Sequence, residues 1–336
     1  RDRIEATESS RKWRKRIRDV RQERRRWSQL PPMGRPHHRH QRRRPFKTLH
    51  DRLTKGFFME EPKHILVDSP SDGVSRITLN RPESRNALNN KLRGEIFSQL
   101  EANDLDESIK VTIIRGAGKA FCAGYDLKGN NNEARPFHTA GGDGSWARHV
   151  VDGAFRMWDL AKPVIAQVHG YCLAGGTELA TACDLIYVAT DAKIGYPVVR
   201  SMSPPDNQFF PWMVGMRNAM EMMLTGDAIS GEDAAKFGFA NRAYNEESLE
   251  DEVLKIAEKI AKIPSDLEQM NKRSVHRQME LMGMRAAIRQ GTEIQALAFH
   301  TKSTRAHFKE LAAGLTDALS SRDGKFGDYR TSKKED

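Results

Sequence analysis

The 336-residue sequence has little cysteine and no long apolar stretch. Its three cysteines, Cys122, Cys172 and Cys183, are odd in number, and their spacings match no pattern of metal ligands. We therefore expect reduced thiols in the interior of a cytoplasmic protein, and no metal site. No apolar run approaches the roughly 20 residues that span a bilayer, and the chain does not begin with the apolar core of a signal peptide. The sequence predicts no membrane-spanning segment.

Positive charge is abundant, but it is confined to one part of the chain. The whole sequence has a net charge of +10. Residues 1–58 hold 20 basic and six acidic residues, a net charge of +14, so the remaining residues carry a net charge of −4. Arginine runs at 24–26 and 42–44, together with an almost complete lack of apolar periodicity, predict that residues 1–58 form a disordered basic arm.

Three interpretations of the basic arm remain open. It could bind nucleic acid through phosphate contacts. It could be an organelle presequence, although acidic residues at positions 2, 5, 8 and 23 are atypical of one. The interpretation that we favour is a start assigned too far upstream, because Met59 stands directly before the first segment with a regular pattern.

From Met59 onward the pattern alternates between strands and helices. Apolar runs predict five strands, at residues 65–67, 74–79, 111–114, 164–168 and 185–189. A helical spacing of apolar residues predicts one helix, at residues 89–102. This alternation is typical of an α/β layered fold. Residues 128–146 are rich in Asn, Gly and His without periodicity, which predicts a mobile loop.

The C-terminal third is predicted to be helical. Ser230 is a candidate N-cap for a helix that ends at Gly238. Ser248 begins the next predicted helix, which Pro264 ends, and two more helices are expected at about 266–284 and 286–320. We therefore divide the chain into the arm, an α/β body at 59–247 and a helical region at 248–336. The apolar faces of that helical region suggest contacts between subunits.

Two glycine-containing turns carry the chemistry of the sequence. Residues 116–127 follow one buried strand, and residues 169–184 run from another strand through Gly175 and Gly176 into a helix. Free N–H groups at a helix start, with a second amide from the neighbouring turn, can form a two-donor oxyanion hole. Glu178 would then lie close enough to act as a general base. Alternatively, the Gly-Gly pair reports tight packing, and Glu178 is a solvated partner of the helix dipole.

Four segments, in order, resemble the signatures of the enoyl-CoA hydratase/isomerase (crotonase) family. They are Asn80-Arg81-Pro82 with Asn86-Ala87-Leu88-Asn89, the run Phe121–Leu127, Lys162–Ala166 continuing to Glu178 and Cys183-Asp184, and Leu224–Asp227 with Ala234–Gly238. The resemblance extends from about residue 63 to the C-terminus. It implies a crotonase-type spiral of ββα units followed by a C-terminal helical trimerisation region, in a homotrimer or hexamer.

The same resemblance implies roles for individual residues. The oxyanion-hole amides fall on Tyr125 and Gly175, and Glu178 falls on one of two catalytic glutamates. Substrate-binding positions fall on Ala123, Asp126, Leu127 and Gly176. The substrate is an acyl-CoA thioester, of which coenzyme A is a part, so no separate cofactor is expected.

One position departs from the family pattern. The second glutamate of hydratases should follow Gly195-Tyr196-Pro197, but Val198 stands there. Asp206, eight residues beyond Val198, is a candidate replacement, because related dienoyl-CoA isomerases have a catalytic aspartate at the matching place. The alternative is that Asp206 is a turn residue after two prolines.

Three functions follow from these observations. The first is an enoyl-CoA hydratase-like lyase with Glu178 and Asp206 as its catalytic pair. The second is an enoyl-CoA or dienoyl-CoA double-bond isomerase that uses the same oxyanion hole. The third, from a different class, is a nucleic-acid-binding protein that uses the basic arm.

Overall fold

The computed structural model describes residues 64–128, 134–327 and 329. Contacts divide the chain into two units, Arg1–Met59 and Glu60–Asp336. The predictions made for the basic arm lie outside the described residues, as does part of the predicted loop at 128–146. Within the described ranges, no helix is both long enough and apolar enough to cross a membrane.

Ten strands within the described residues form two sheets. In chain order the strands β1 to β10 are Ile65–Ser71, Val74–Leu79, Val111–Gly116, Ala120–Cys122, Val164–Val168, Tyr171–Leu173, Leu185–Ala189, Lys193–Gly195, Ile229–Ser230 and Arg242–Tyr244. The larger sheet has the order β1-β2-β3-β5-β7-β10, and the smaller one has the order β4-β6-β8-β9. The pairs β1–β2 and β8–β9 are antiparallel, whereas the remaining pairs are parallel.

The chain passes repeatedly from the larger sheet to the smaller one. The consecutive pairs β3–β4, β5–β6 and β7–β8 each place one strand in each sheet, so successive turns stack as a spiral. Every residue of β5 and nearly every residue of β3 is buried. Parallel strands covered on both faces are expected to be mainly apolar, and these two are so except for Thr112 and Arg115 in β3 and Gln167 in β5.

Eleven helices occur within the described residues. The helices α1 to α11 are Asn90–Leu105, Ser145–Trp158, Gly175–Thr181, Phe210–Met213, Gly215–Thr225, Gly231–Phe237, Glu246–Ala261, Ser265–Leu281, Met284–Ala298, Lys302–Ala313 and Leu315–Gly324. Helix α1 packs on β1 and β2, and α7 packs on β2, β3, β5, β7 and β10. The predicted α/β layered fold is therefore confirmed.

Local sequence signals predicted one helix N-terminus correctly and another incorrectly. Ser230 caps α6 as predicted, since its Oγ accepts a 3.0 Å hydrogen bond from the Asp233 N–H, and Gly238 ends the helix with φ of 92°. The predicted start of α7 at Ser248 was wrong: the helix begins at Glu246, and the Ser248 hydroxyl donates to the Asn245 carbonyl.

The C-terminal stretch for which two helices were predicted contains four, α8 to α11. The stretch 286–320 was predicted as one helix, but it contains most of α9, all of α10 and part of α11. The Thr301 side chain caps α10 by accepting a hydrogen bond from the Thr304 N–H, and Gly314 separates α10 from α11. A threonine N-cap within an apolar pattern was the available signal for this break.

Candidate active site

The first glycine turn is fixed by side chains of the first signature segment. Asn86 is buried, with φ of 56°, and its Nδ2 donates to the carbonyls of Ala117 (2.9 Å) and Ala120 (2.8 Å). The Arg81 guanidinium donates to Asp126 Oδ2 at 2.8 Å. The first two signature segments are thus bonded to each other, and Asp126 is held by an ion pair at the end of the turn.

The second glycine turn lies against the first. Ala174 precedes helix α3 with φ of 51° and ψ of −121°, a conformation that L residues rarely adopt and that is typical of functional sites. A side chain at Gly124 would come to 2.9 Å from Ala174 Cβ and 3.4 Å from the Gly175 nitrogen. Only a glycine at position 124 allows this close approach.

Two backbone amides at this junction are free. Within the described part of the chain, neither the Tyr125 N–H nor the Gly175 N–H donates a hydrogen bond, although the neighbouring Asp126 N–H donates to the Leu88 carbonyl at 3.1 Å. Gly175 is the first residue of α3, where an N–H has no partner inside the helix. The two amides are available to a ligand oxygen, as a two-donor oxyanion hole requires.

Glu178 is buried in the same helix as Gly175, and both oxygens of its carboxylate accept hydrogen bonds. The Tyr125 hydroxyl donates to its Oε2 at 2.8 Å, and the Tyr196 hydroxyl donates to its Oε1 at 3.0 Å. The Asp206 N–H donates to Oε1 at 2.8 Å, a third hydrogen bond to the carboxylate. Burial raises the pKa of Glu178 above its usual value, and these hydrogen bonds, together with the nearby Asn207 amide, offset only part of that increase.

Asp206 is equally buried but poorly hydrogen-bonded. Its side chain is 3% exposed, and its Oδ1 has no hydrogen-bond partner among the described residues. Burial raises the pKa of Asp206 well above its usual range, and the nearby charge of Glu178 raises it further, against smaller opposite effects of Trp146 and Arg93. The alternative interpretation of Asp206, as a turn residue after two prolines, did not predict that its side chain is buried.

The charges of this cluster decide which carboxyl is ionised. Arg93 is the cation whose charge acts on both Glu178 and Asp206, and it is only 5% exposed. One buried cation can balance one carboxylate. The three hydrogen bonds to Glu178 favour its charged form, whereas burial and the charge of Glu178 favour the protonated form of Asp206.

Two cavities adjoin this cluster. The main cavity, of about 810 Å³, is lined by Ala123, Tyr125, Asp126, Leu127, Val198 and Asp206, and also by the C-terminal residues Phe299, Phe308, Leu311 and Leu319. The inner cavity, of about 40 Å³, is lined by Arg93, Gly175, Glu178 and Asn207 with apolar side chains around them. Leu88 and Tyr125 line both cavities.

Most of the predicted site residues meet at these cavities, although not all in the same one. Gly175 and Glu178 lie at the inner cavity, and five of the others line the main cavity with Val198. Gly176 lines neither: a side chain there would come to 2.2 Å from the Cys122 carbonyl, so its lack of one serves close packing. Substrate contact by Gly176 stays a prediction.

Sequence reasoning missed three residues of the cluster. Tyr196 was noted only as the middle of Gly195-Tyr196-Pro197, and Trp146 lay at the end of the predicted loop. The Arg93 guanidinium lies 5.8 Å from the ring centre of Tyr125 and 5.4 Å from that of Trp146. An arginine beside the apolar stripe of α1 would ordinarily be placed in solvent, so no local signal marked it.

His169 and the three cysteines have structural surroundings. His169 Nε2 hydrogen-bonds the Gly118 carbonyl at 2.8 Å, which ties the two glycine turns together. Cys122, Cys172 and Cys183 are buried and unpaired, as predicted. Among the described residues, no group of three or more His, Cys, Asp or Glu side chains could hold a metal ion.

Comparisons with known proteins agree with this geometry. The sequence model of the family described as enoyl-CoA hydratase/isomerase matches residues 69–327. A mitochondrial enoyl-CoA hydratase of Pongo abelii is 32% identical over 262 residues, covering 76% of this chain and 84% of that protein.

Solved structures give the same result. The crystal structure of an enoyl-CoA hydratase from Mycobacterium smegmatis matches with a TM-score of 0.73 and 29% identity, covering 80% of this chain and 95% of that one. An enoyl-CoA hydratase/isomerase from Xanthobacter autotrophicus Py2 matches with a TM-score of 0.71 and 37% identity, covering 78% and 98%. The predicted crotonase-type spiral with C-terminal helices is confirmed, and the chain belongs to the enoyl-CoA hydratase/isomerase family of enzymes.

Proposed function

We propose that this enzyme is an enoyl-CoA hydratase-like lyase that adds water across the Cα–Cβ double bond of an acyl-CoA thioester. The observation that carries the proposal is the position of Asp206. Its carboxyl lines the main cavity, while its own N–H donates to Glu178 at 2.8 Å. Two carboxyl groups of unequal protonation therefore lie beside two free amides, although Val198 replaces the second family glutamate.

Each group has a part in the reaction. The thioester oxygen would accept hydrogen bonds from the Tyr125 and Gly175 amides, which stabilise the enolate as it forms. An ionised carboxylate removes a proton from water while the water oxygen bonds to Cβ, and the protonated carboxyl delivers a proton to Cα. The division of charge between Glu178 and Asp206 matches these two tasks.

The main cavity suits an acyl-CoA ligand. Its volume of about 810 Å³ falls within the usual range of ligand sites, roughly 300–1,000 Å³. Apolar side chains of the C-terminal helices line it on one side and would contact the acyl chain. Coenzyme A arrives as part of the substrate, and we propose no separate cofactor.

Assembly as a homotrimer or hexamer is part of the proposal. Large apolar side chains are exposed on helices outside the core, including Leu224 at 80%, Leu281 at 81% and Leu297 at 65%. Such exposure on several neighbouring helices is typical of surfaces that are covered in an oligomer. We propose the cytoplasm as the compartment, in line with the three unpaired thiols.

A second function, double-bond isomerisation, is favoured by Val198. Its apolar side chain lines the main cavity, and Glu178 lines only the inner one, so Asp206 is the carboxyl in the wall of the main cavity. Moving a proton between two carbons needs one carboxyl group, whereas hydration uses two.

An ultraviolet assay distinguishes the two activities. The purified enzyme is given crotonyl-CoA and a 3-enoyl-CoA side by side, together with its Asp206→Asn variant and Asp191→Asn, a change of an exposed turn residue, as the control. Hydration of crotonyl-CoA that Asp206→Asn lowers about a hundredfold supports the proposal. Conversion of the 3-enoyl-CoA alone supports the isomerase, and conversion of neither contradicts both.

A further inference from the structure

Tyr125 connects the main cavity with the buried carboxylate of Glu178. The carboxylate lines the inner cavity, whose volume of about 40 Å³ is close to that of a single water molecule. Tyr125 lines both cavities and donates its hydroxyl proton to Glu178 Oε2 at 2.8 Å. Among the described residues, Tyr125 is therefore the one that lines both cavities and also donates a hydrogen bond to Glu178.

We infer that Tyr125 is a further catalytic residue, a phenol that passes a proton from the reacting water in the main cavity to the buried carboxylate of Glu178. The inference rests on the proposed hydration. It gives Tyr125 two separate roles, since its backbone N–H is also one of the two free amides. Glu178 then acts on substrate through Tyr125 and not by contact.

The direction of the hydrogen bond sets the direction of transfer. Because the Tyr125 hydroxyl donates to Glu178, its oxygen has lone pairs left to accept a hydrogen bond from a donor in the main cavity. Burial and the charge of Glu178 raise the pKa of Tyr125 well above its usual value, so a free phenolate is not formed. The phenol gives up its proton only as it receives another.

The step balances in atoms and charge. One water proton goes to the Tyr125 oxygen, the former phenol proton goes to Glu178 Oε2, and the hydroxide oxygen bonds to Cβ. The electron pair of the Cα–Cβ bond moves to the thioester enolate, and Asp206 protonates Cα. Glu178 ends protonated and Asp206 ionised, and one proton exchanged between them restores the starting state.

Tyr196 also donates to Glu178, but it is placed differently. It is 2% exposed and shares Glu178 Oε1 with the Asp206 N–H, whereas Tyr125 is the donor given to Oε2. Tyr196 lines the main cavity but not the inner one. We assign Tyr196 to holding Glu178 in place, which makes Tyr196→Phe the matched control for Tyr125→Phe.

The test is a double-mutant cycle in the crotonyl-CoA assay. Tyr125→Phe removes only the hydroxyl and keeps the ring, which packs over Gly175 and makes an edge contact with Trp146 at 5.0 Å. We expect kcat to fall about a hundredfold or more with KM changed less than about threefold. Tyr196→Phe should lose less than about tenfold, and Tyr187→Phe, in the larger sheet, should match the wild type.

The double variant decides whether the phenol acts through Glu178. If it does, Tyr125→Phe combined with Glu178→Gln should be no slower than Glu178→Gln alone, within about threefold. Losses that multiply, equal losses in Tyr125→Phe and Tyr196→Phe, or full activity of Tyr125→Phe would each overturn the relay while leaving hydration established. A wild type that hydrates nothing overturns the proposed function itself. Thermal unfolding and circular dichroism confirm that each variant is folded.

Discussion

Replacing Glu178 with glutamine changes hydrogen bonding and charge at the centre of the site. The carboxylate accepts hydrogen bonds from Tyr125, Tyr196 and the Asp206 N–H. A glutamine side chain has one acceptor oxygen and an NH₂ group that only donates. The oxygen at the Oε1 position could keep Tyr196 and the Asp206 N–H, and the Tyr125 hydroxyl could turn to accept from the NH₂. The proton of the Tyr125 hydroxyl then has no carboxylate oxygen to bond, so one donor is displaced.

The cost to folding follows from that one displaced donor. A buried donor left unsatisfied costs about 1–3 kcal/mol, so the free energy of unfolding should fall by that amount. The charge of Arg93 would lose its main balance, and the repulsion that raises the pKa of Asp206 would disappear. We therefore expect the pKa of Asp206 to fall in Glu178→Gln, so that Asp206 takes over the negative charge.

The cost to catalysis is larger and separate. Loss of a general base typically lowers turnover by about 10²–10⁴-fold. Since Asp206 would now be ionised near neutral pH, the residual activity should depend on a group that is protonated only at lower pH than in the wild type. The pH profile of kcat for the variant should accordingly shift to lower pH.

The assay combines turnover and stability. Turnover of crotonyl-CoA and of a 3-enoyl-CoA is measured from pH 5 to pH 9, and urea unfolding is measured at neutral pH. Glu247→Gln, on the exposed first turn of α7, is the control for the same chemical change. A fully active Glu178→Gln on both substrates would refute the catalytic role of Glu178 and both proposed activities together.

Further predictions test the amides, a second buried carboxyl and the assembly. Gly175→Pro removes one amide at the first helical position, where proline is tolerated, and should lower turnover by the equivalent of about 2.7–4 kcal/mol. Gly175→Ala brings its Cβ to the same contact, 2.7 Å from the Tyr125 ring, but keeps the N–H, so comparable turnover of the two variants would contradict the role of the amide. Glu268, 4% exposed and with no hydrogen-bond partner for either oxygen among the described residues, has its pKa raised from 4.5 to about 7 by burial. Stability is therefore lost as pH rises from 4.5 through 7, and at pH 8 Glu268→Gln should be more stable than wild type by about 1–3 kcal/mol, with no difference at pH 4; equal urea midpoints at pH 8 would count against this. Light scattering should give a trimer or hexamer, and a monomer at micromolar concentration would contradict the proposed assembly. Truncation to Met59 should leave turnover and the thermal midpoint nearly unchanged, and loss of folding would show that the arm is needed.

The sequence was most informative where a local pattern determines a local structure. Alternating strands and helices identified the α/β fold, and Ser230 with Asp233 identified a helix start that side-chain hydrogen bonds confirm. The four signature segments were sufficient to identify the family. The two sheets were not separated in advance, because strands β4, β6 and β8 of the smaller sheet are each only three residues long and carry little periodicity.

The candidate site shows the same difference between what local sequence predicts and what only the tertiary structure shows. The sequence located both glycine turns and made Glu178 a candidate, since the chemistry of a turn and of a helix start depends on neighbouring residues. Asp206 became a candidate only through the resemblance to dienoyl-CoA isomerases. The sequence could not show that Tyr125 lines both cavities and donates to Glu178, because those two residues are 53 positions apart in sequence. Nor could it show that Asp206 is buried 28 positions from Glu178 with its N–H on that carboxylate. Burial and the nearby charge of Glu178 raise the pKa of Asp206 and favour its protonated form. Both effects arise only when the spiral stacks its turns on each other.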